Sequence, residues 1–210
     1  MFDQIYLASA SPRRKELLTQ LGVSFIQVAN DFDETPLTNE SAADYVTRLS
    51  IGKARSAQPF CDPDKSLPIL GADTIVVLNG NFLGKPKDLN EAKSMLHQLS
   101  GLTHQVYSGV SLCHEDKEYW QVSKSDVTFS QLSEQTIDAY CATEEPLGKA
   151  GSYAIQGVAG SFVSGISGSY SGIVGLPLYE TRSLLEQMQV KHLLSSKSSP
   201  QLLPQAGGRE

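Results

Sequence analysis

The sequence predicts an α/β fold, a mixed central sheet flanked by helices and bent into two lobes around a cleft. Three observations carry this. Ile5-Tyr6-Leu7-Ala8 is a short apolar strand that runs through a serine turn into a helical pattern. Leu67 to Leu78 is an almost unbroken apolar run that stops at Asn79-Gly80, a strong hairpin signal. After that hairpin, helical patterns alternate with further strands, so parallel and antiparallel pairings belong to one sheet.

Taken in order, Ser11 suits a helix N-cap and Pro12 the first helical position, with Leu17, Leu18 and Leu21 inward and Gly22 at the end. Ser24 to Ala29 reads as a strand that enters the acidic turn Asp31-Phe32-Asp33-Glu34. A helix is expected from about Ser41 to Ala57, with Tyr45, Val46 and Leu49 on its apolar side. Phe82 to Lys85 should return beside the long apolar strand. Asn90 is expected to cap a helix that buries Ala92, Met95, Leu96 and Leu99. Val106 to Leu112 and Tyr119 to Gln131 read as partner strands, Ser133 as the cap of a short helix, and Pro177 as the start of the last one. From Gly148 to Gly175 glycine is dense enough to imply tight turns and close backbone approach. One domain over residues 1–190 is expected, then a flexible tail over 191–210, since Lys197 to Glu210 is rich in Ser, Pro, Gln and Gly.

Bulk composition narrows the function. Apolar residues are 40% and charged residues 19%, a globular balance. The net charge of -6 and the 8% aromatic content argue against a nucleic-acid partner, which wants a basic and stacking surface. No stretch is long enough to span a membrane and no signal peptide is legible, so a soluble, cytoplasmic protein is expected. Cys61, Cys113 and Cys141 show neither disulfide nor zinc spacing, and His97, His104, His114 and His192 form no ligand pattern and are expected at the surface. Phosphate-loop, serine-hydrolase and zinc-protease motifs are absent.

Four groups of residues can carry chemistry. Ser9 to Arg14 joins a strand to a helix N-terminus, where free N–H groups and two arginines suit an anion. Successive helix residues point about 100° apart, so Arg13 and Arg14 should not grip one oxygen together; one can hold phosphate while the other pairs with a carboxylate. Lys53 follows Tyr45 and Leu49 by eight and four residues and lies on the apolar stripe, from which it can snorkel outward or enter a cleft. Asp73 lies inside an apolar strand, where a carboxylate is costly without a cation; the alternatives are a structural ion pair, a strand-end carboxylate facing water, or a functional site. Lys85 comes opposite Thr74 if the hairpin loop has two residues and opposite Asp73 if it has three. Glu34 is weak alone, but beside Asp73 it completes a pair of oxygen ligands for a hard cation.

These motifs together resemble the Maf proteins, a family of nucleoside triphosphate pyrophosphatases. Leu7-Ala8-Ser9-Ala10-Ser11-Pro12-Arg13-Arg14-Lys15-Glu16-Leu17-Leu18 looks like the family's opening motif. Asp33-Glu34, Lys53-Ala54, Gly71-Ala72-Asp73-Thr74, Gly84-Lys85-Pro86, Lys149 to Gly157 and Val174-Gly175-Leu176-Pro177-Leu178 follow in the family's order. The resemblance implies a fold similar to the inosine triphosphate pyrophosphatases, a divalent cation such as Mg²⁺ or Mn²⁺, a small nucleotide substrate and a homodimer. It places Ser9, Arg13, Lys53 and Lys85 on the triphosphate, and Glu34 and Asp73 on metal and water, with Asp73 at the position of the proton acceptor. Arg13, Thr74 and Gln156 match positions tied to the branch that prefers dTTP and UTP over 7-methyl-GTP. The expected reaction yields a nucleoside monophosphate and pyrophosphate; the alternative is a nucleotide-binding regulator of cell division without turnover. Gly52, unfavourable inside a helix by about 1 kcal/mol relative to Ala, is expected to loosen the placement of Lys53.

Overall fold

The structure, a computed structural model, describes residues 1–195. One mixed sheet has the strand order β2-β1-β3-β5-β6-β7, with β4 also paired to β3. The strands are β1 (Gln4–Leu7), β2 (Ser24–Gln27), β3 (Ile69–Leu78), β4 (Asn81–Leu83), β5 (Thr103–His114), β6 (Lys117–Phe129) and β7 (Val163–Ser167). The helices are α1 (Pro12–Gln20), α2 (Ala42–Ser56), α3 (Leu89–Leu99), α4 (Glu134–Cys141), α5 (Tyr170–Val174) and α6 (Leu178–Gln187). β1 pairs in parallel with both β2 and β3, and the other pairings between these strands are antiparallel.

This topology makes its own crevice. The chain leaves β1 through α1 to reach β2 on one side, then returns through α2 to β3 on the other. Connections that diverge from a central strand leave a gap at its carboxyl end, the usual place for a ligand in parallel sheets. Here the gap is widened along β3. β1 pairs with β3 only as far as Leu7↔Leu70, and β4 begins only at Val76↔Leu83. Gly71 to Ile75 therefore have β5 on one edge and no strand on the other. Asp73 and Thr74 sit in that interval.

Two apolar clusters bound the crevice. One gathers Ile5, Leu7, Leu18, Leu112 and Leu184 under α1 and α6. The other gathers Val76, Leu96, Leu99, Phe129 and Ile137 around α3 and α4. Ile155 packs against both and joins them. On the opposite face α2 lies unusually close to the sheet. A Cβ on Gly71 would come 2.1 Å from the Ser50 carbonyl oxygen, and one on Gly109 would come 2.3 Å from that of Val46. Glycine at these two strand positions lets α2 settle closer to the sheet than side chains would allow, which carries Lys53 down to it.

Several boundaries differ from the sequence reading. Asp88, not Asn90, caps α3, accepting from the Glu91 N–H. Ser133 caps α4 as expected, accepting from the Thr136 N–H, and Ser41 caps α2 in the same way, accepting from the Asp44 N–H. Asn79 and Gly80 both have positive φ, 50° and 80°, and Leu78 faces Asn81, so the hairpin has the two-residue loop. The same register extended past β4 sets Lys85 level with Thr74. The glycine-rich stretch holds a strand and a short helix, β7 and α5, as well as turns. His104 and His192, expected at the surface, are buried, His104 against Tyr153 and Phe129. Residues 191–195, assigned to the tail, are fastened: the Lys191 N–H donates to the Phe2 carbonyl and that of Leu193 to Leu21. The rest of that expected tail lies outside the described residues.

Candidate active site

The crevice holds a cavity of about 440 Å³, and all nine candidate residues line it: Ser9, Arg13, Arg14, Glu34, Lys53, Asp73, Thr74, Lys85 and Gln156. At its floor the Lys53 ammonium bridges two carboxylates, 2.6 Å from Asp73 Oδ1 and 2.6 Å from Glu34 Oε1. Lys53 and Asp73 are only 6% and 7% exposed, and burying a charged group is costly unless it is paired, as these two are. Lys53 therefore points into the cleft and does not snorkel. The second oxygen of each carboxylate has no hydrogen-bond partner among the described residues and is left to the cavity.

Half-burial pushes the Glu34 carboxyl up, but the Lys53 hydrogen bond and the charges of Lys53, Lys85 and Arg14 outweigh it and hold the group below its ordinary value. Tyr45, whose hydroxyl donates to the Glu34 carbonyl oxygen at 2.9 Å, is pushed up to about 12, first by burial and then by Asp73 and Glu34. It stays a donor throughout the working range of pH.

The two arginines divide, as their helical spacing requires. Arg14 turns inward: its Nε donates to the Gly175 carbonyl at 2.9 Å and its Nη1 to Ser9 Oγ at 3.2 Å. Burial lowers its pKa, while the nearby charges of Asp73 and Glu34 raise it. It makes no direct ion pair among the described residues, and its role in the geometry is to brace Ser9. The Ser9 hydroxyl also accepts the Ser11 N–H, so the serine turn folds onto Ser9 and Ser11 makes no side-chain cap. Arg13 leans the other way, and its charge is felt by Lys149 and Tyr140 across the cleft. Neither Arg13 nor Lys85 has an ion-pair partner among the described residues.

Thr74 Oγ1 lies 2.8 Å from Ser108 Oγ, which donates to the Gly172 carbonyl. Gln156 is exposed at the cavity mouth, and no hydrogen bond fixes its amide among the described residues. Lys149 also lines the cavity, although it was not singled out from the sequence. Burial and the charge of Arg13 lower its pKa, against Glu145. Five cations and two carboxylates thus surround the space, in a chain of net charge -6. So local a reversal of sign suits a small polyanion.

The family model for Maf-like protein matches residues 4–188. The chain belongs to this family. It is 50% identical over 186 residues to a dTTP/UTP pyrophosphatase of Pseudoalteromonas translucida, covering 89% of this chain and 97% of that one. It is equally 50% identical over 181 residues to a dTTP/UTP pyrophosphatase of Escherichia coli, covering 86% and 91%. Among solved structures, the Ham1 protein of Staphylococcus aureus aligns with 68% of this chain at 13% identity and a TM-score of 0.39.

Within this Maf-like chain the acidic turn is placed by a contact that the sequence disguised. The Phe32 ring lies flat against Gly52, where an added Cβ would come 2.2 Å from the ring. Gly52 does not loosen Lys53. It makes the seat for Phe32, two residues before Glu34, and so brings Glu34 to Lys53. The two lysine-bound carboxylates come from segments 39 residues apart, and no local pattern could have paired them.

Gly52→Ala separates these two readings. Helix propensity alone favours alanine by about 1 kcal/mol. The seat for Phe32 instead predicts a loss of about 1–3 kcal/mol from overpacking, measured by urea unfolding, together with weakened catalysis. A more stable variant would return Gly52 to the status of a local oddity.

Proposed function

We propose that this chain hydrolyses dTTP and UTP between the α- and β-phosphates, releasing the nucleoside monophosphate and pyrophosphate. The observation that carries the reading is the carboxylate pair on Lys53 at the floor of an otherwise cationic cavity. A site built only to bind phosphate gains nothing from two carboxylates, which repel it. A site that must take a proton or hold a cation next to phosphate needs them. The half-identity to two proteins named dTTP/UTP pyrophosphatase, over nearly their whole length, supports the bond and the bases.

Each side chain then has a task that follows from its surroundings. Lys53 has three donors, of which the carboxylates use two, and the third can meet a phosphate oxygen. Arg13 and Lys85, which no carboxylate neutralises among the described residues, balance the charge that collects on the leaving pyrophosphate. Ser9, braced by Arg14, can donate its hydroxyl proton to phosphate, because its oxygen is already an acceptor twice over. Glu34, held below its ordinary pKa, is a weak base and suits a cation. Asp73, at the position that matches the family's proton acceptor, takes the proton from the attacking water. The Gln156 amide can meet the O4 and N3–H edge of thymine or uracil, turning to suit because nothing fixes it beforehand.

The open carboxylate oxygens of Glu34 and Asp73 are hard donors, and two carboxylates completed by substrate phosphates are the customary surroundings of Mg²⁺. The residues present therefore fit Mg²⁺ or Mn²⁺, which when bound would polarise a water and screen the phosphate charge. The same reading brings with it a cytoplasmic homodimer acting on free nucleotides. Among the described residues no helix is long and apolar enough to cross a membrane.

Asp73→Asn keeps the size of the side chain and removes its basicity, and should lower kcat for dTTP by at least about a hundredfold. Chromatography of the parent reaction should show dTMP and pyrophosphate; a dTDP peak, or an Asp73→Asn variant as fast as the parent, would overturn the assignment. Excess chelator should stop turnover and added Mg²⁺ or Mn²⁺ restore it, whereas full activity in the stripped protein removes the metal from the reaction.

A further inference from the structure

We propose that Tyr45 and Arg48 are positioning residues for Glu34, forming with Gly52 a splint along one face of α2 that holds the acidic segment in place for the reaction. This rests on Glu34 acting in the proposed hydrolysis. Residues 30–40 contain neither helix nor strand, so nothing intrinsic to that segment fixes the direction of its side chains. The Glu34 side chain is also 46% exposed, and packing alone does not hold it.

What fixes the segment is a row of contacts from α2. Tyr45, Arg48 and Gly52 are spaced three and four residues apart and therefore share a face of the helix. Gly52 receives the Phe32 ring. The Tyr45 hydroxyl donates to the carbonyl oxygen of Glu34 itself at 2.9 Å. Arg48 Nη2 donates to the next carbonyl, that of Thr35, at 3.1 Å. The same guanidinium grips both oxygens of Glu40, at 2.6 and 2.8 Å, and so holds the far end of the segment. It lies 5.6 Å from the centre of the Tyr45 ring, which couples the two clamps. Lys53, one residue past Gly52, completes the row by taking the Glu34 carboxylate.

The two peptides that follow Glu34 are thus held by the helix that supplies its partner lysine, and the Phe32 ring is seated on the same helix just before it. Glu34 and Lys53 move as one body, and the carboxylate reaches the cavity with its direction already set. Neither Tyr45 nor Arg48 lines the cavity, so both act through Glu34 and touch no substrate.

The test is a set of mutant cycles with kcat and KM measured separately for dTTP. Tyr45→Phe removes only the hydroxyl, and Arg48→Met removes the carbonyl and Glu40 contacts. Each should lower kcat by at least about tenfold, the expected effect of a misplaced catalytic group, with KM changed by less than about threefold. Introduced into Glu34→Gln, either should change kcat by less than about twofold, because the group they place is already disabled. Unchanged kcat in Tyr45→Phe and Arg48→Met overturns the proposal, and so does an equal loss in both backgrounds. If Arg48→Met does not fold, Tyr45→Phe decides alone. A Glu34→Gln enzyme with parental kcat is a different result: it overturns the role of Glu34 and the splint falls with it.

Discussion

One ammonium group holds this site together. Lys53 lies between Glu34 and Asp73 at 2.6 Å from each, and almost no solvent reaches it or Asp73. Buried charges of this kind are a weak source of net stability, since desolvation consumes most of the Coulombic gain. Their value here is geometric. Without the lysine, two carboxylates facing the same cavity would repel, and one would take up a proton. With it, each carboxylate turns one oxygen to the ammonium and keeps the other free for what enters. The unit carries one net negative charge, which Arg14 and Lys85 sense and offset from the sides.

The backbone is arranged around that contact. β3 runs on past the end of β1 before β4 begins, so Asp73 is presented on a strand with one open edge. Gly71 and Gly109 let α2 press against the sheet, at the depth that Lys53 needs to reach across. The serine turn after β1 closes the other side, braced by Arg14 against Gly175. Every wall of the crevice is then made by a different stretch of chain. Such a site exists only in the folded state, and its charges are directed before substrate arrives, which is where electrostatic catalysis gains most.

How much of this could be read beforehand depended on the distance over which each residue is explained. Lys53 and Asp73 were legible because each violates a local rule: a lysine on an apolar helical stripe, and a carboxylate inside an apolar strand. The Asn79-Gly80 turn was legible because it follows a local rule, the two-residue hairpin, and it carried Lys85 with it. Glu34 looked like an ordinary acidic turn, because its meaning lies in Phe32 and Gly52, which touch across an irregular segment. Gly52 itself was visible as an anomaly but was read with the wrong sign, since its partner ring is remote in sequence. The strand and helix within Val163 to Val174 were hidden by glycine and serine, whose local preferences suggest turns; pairing with β6 and packing against β5 override them. Lys149 gave no signal of its own beyond sitting in a matching motif.

The central claim is that Lys53 holds Glu34 ionised and both carboxylates aimed, and the pH dependence of kcat/KM tests it directly. A carboxylate with a depressed pKa is active above that pKa and fails as the pH falls through it. In the parent enzyme the acid limb for dTTP should therefore lie low. In Lys53→Met the largest counterweight to the burial of Glu34 is gone and only the charges of Lys85 and Arg14 remain, so the limb should move upward by at least about one pH unit, beyond any fall in the plateau. A variant whose profile is parallel to the parent's, lower but not displaced, would contradict the account and reduce Lys53 to one phosphate contact among several.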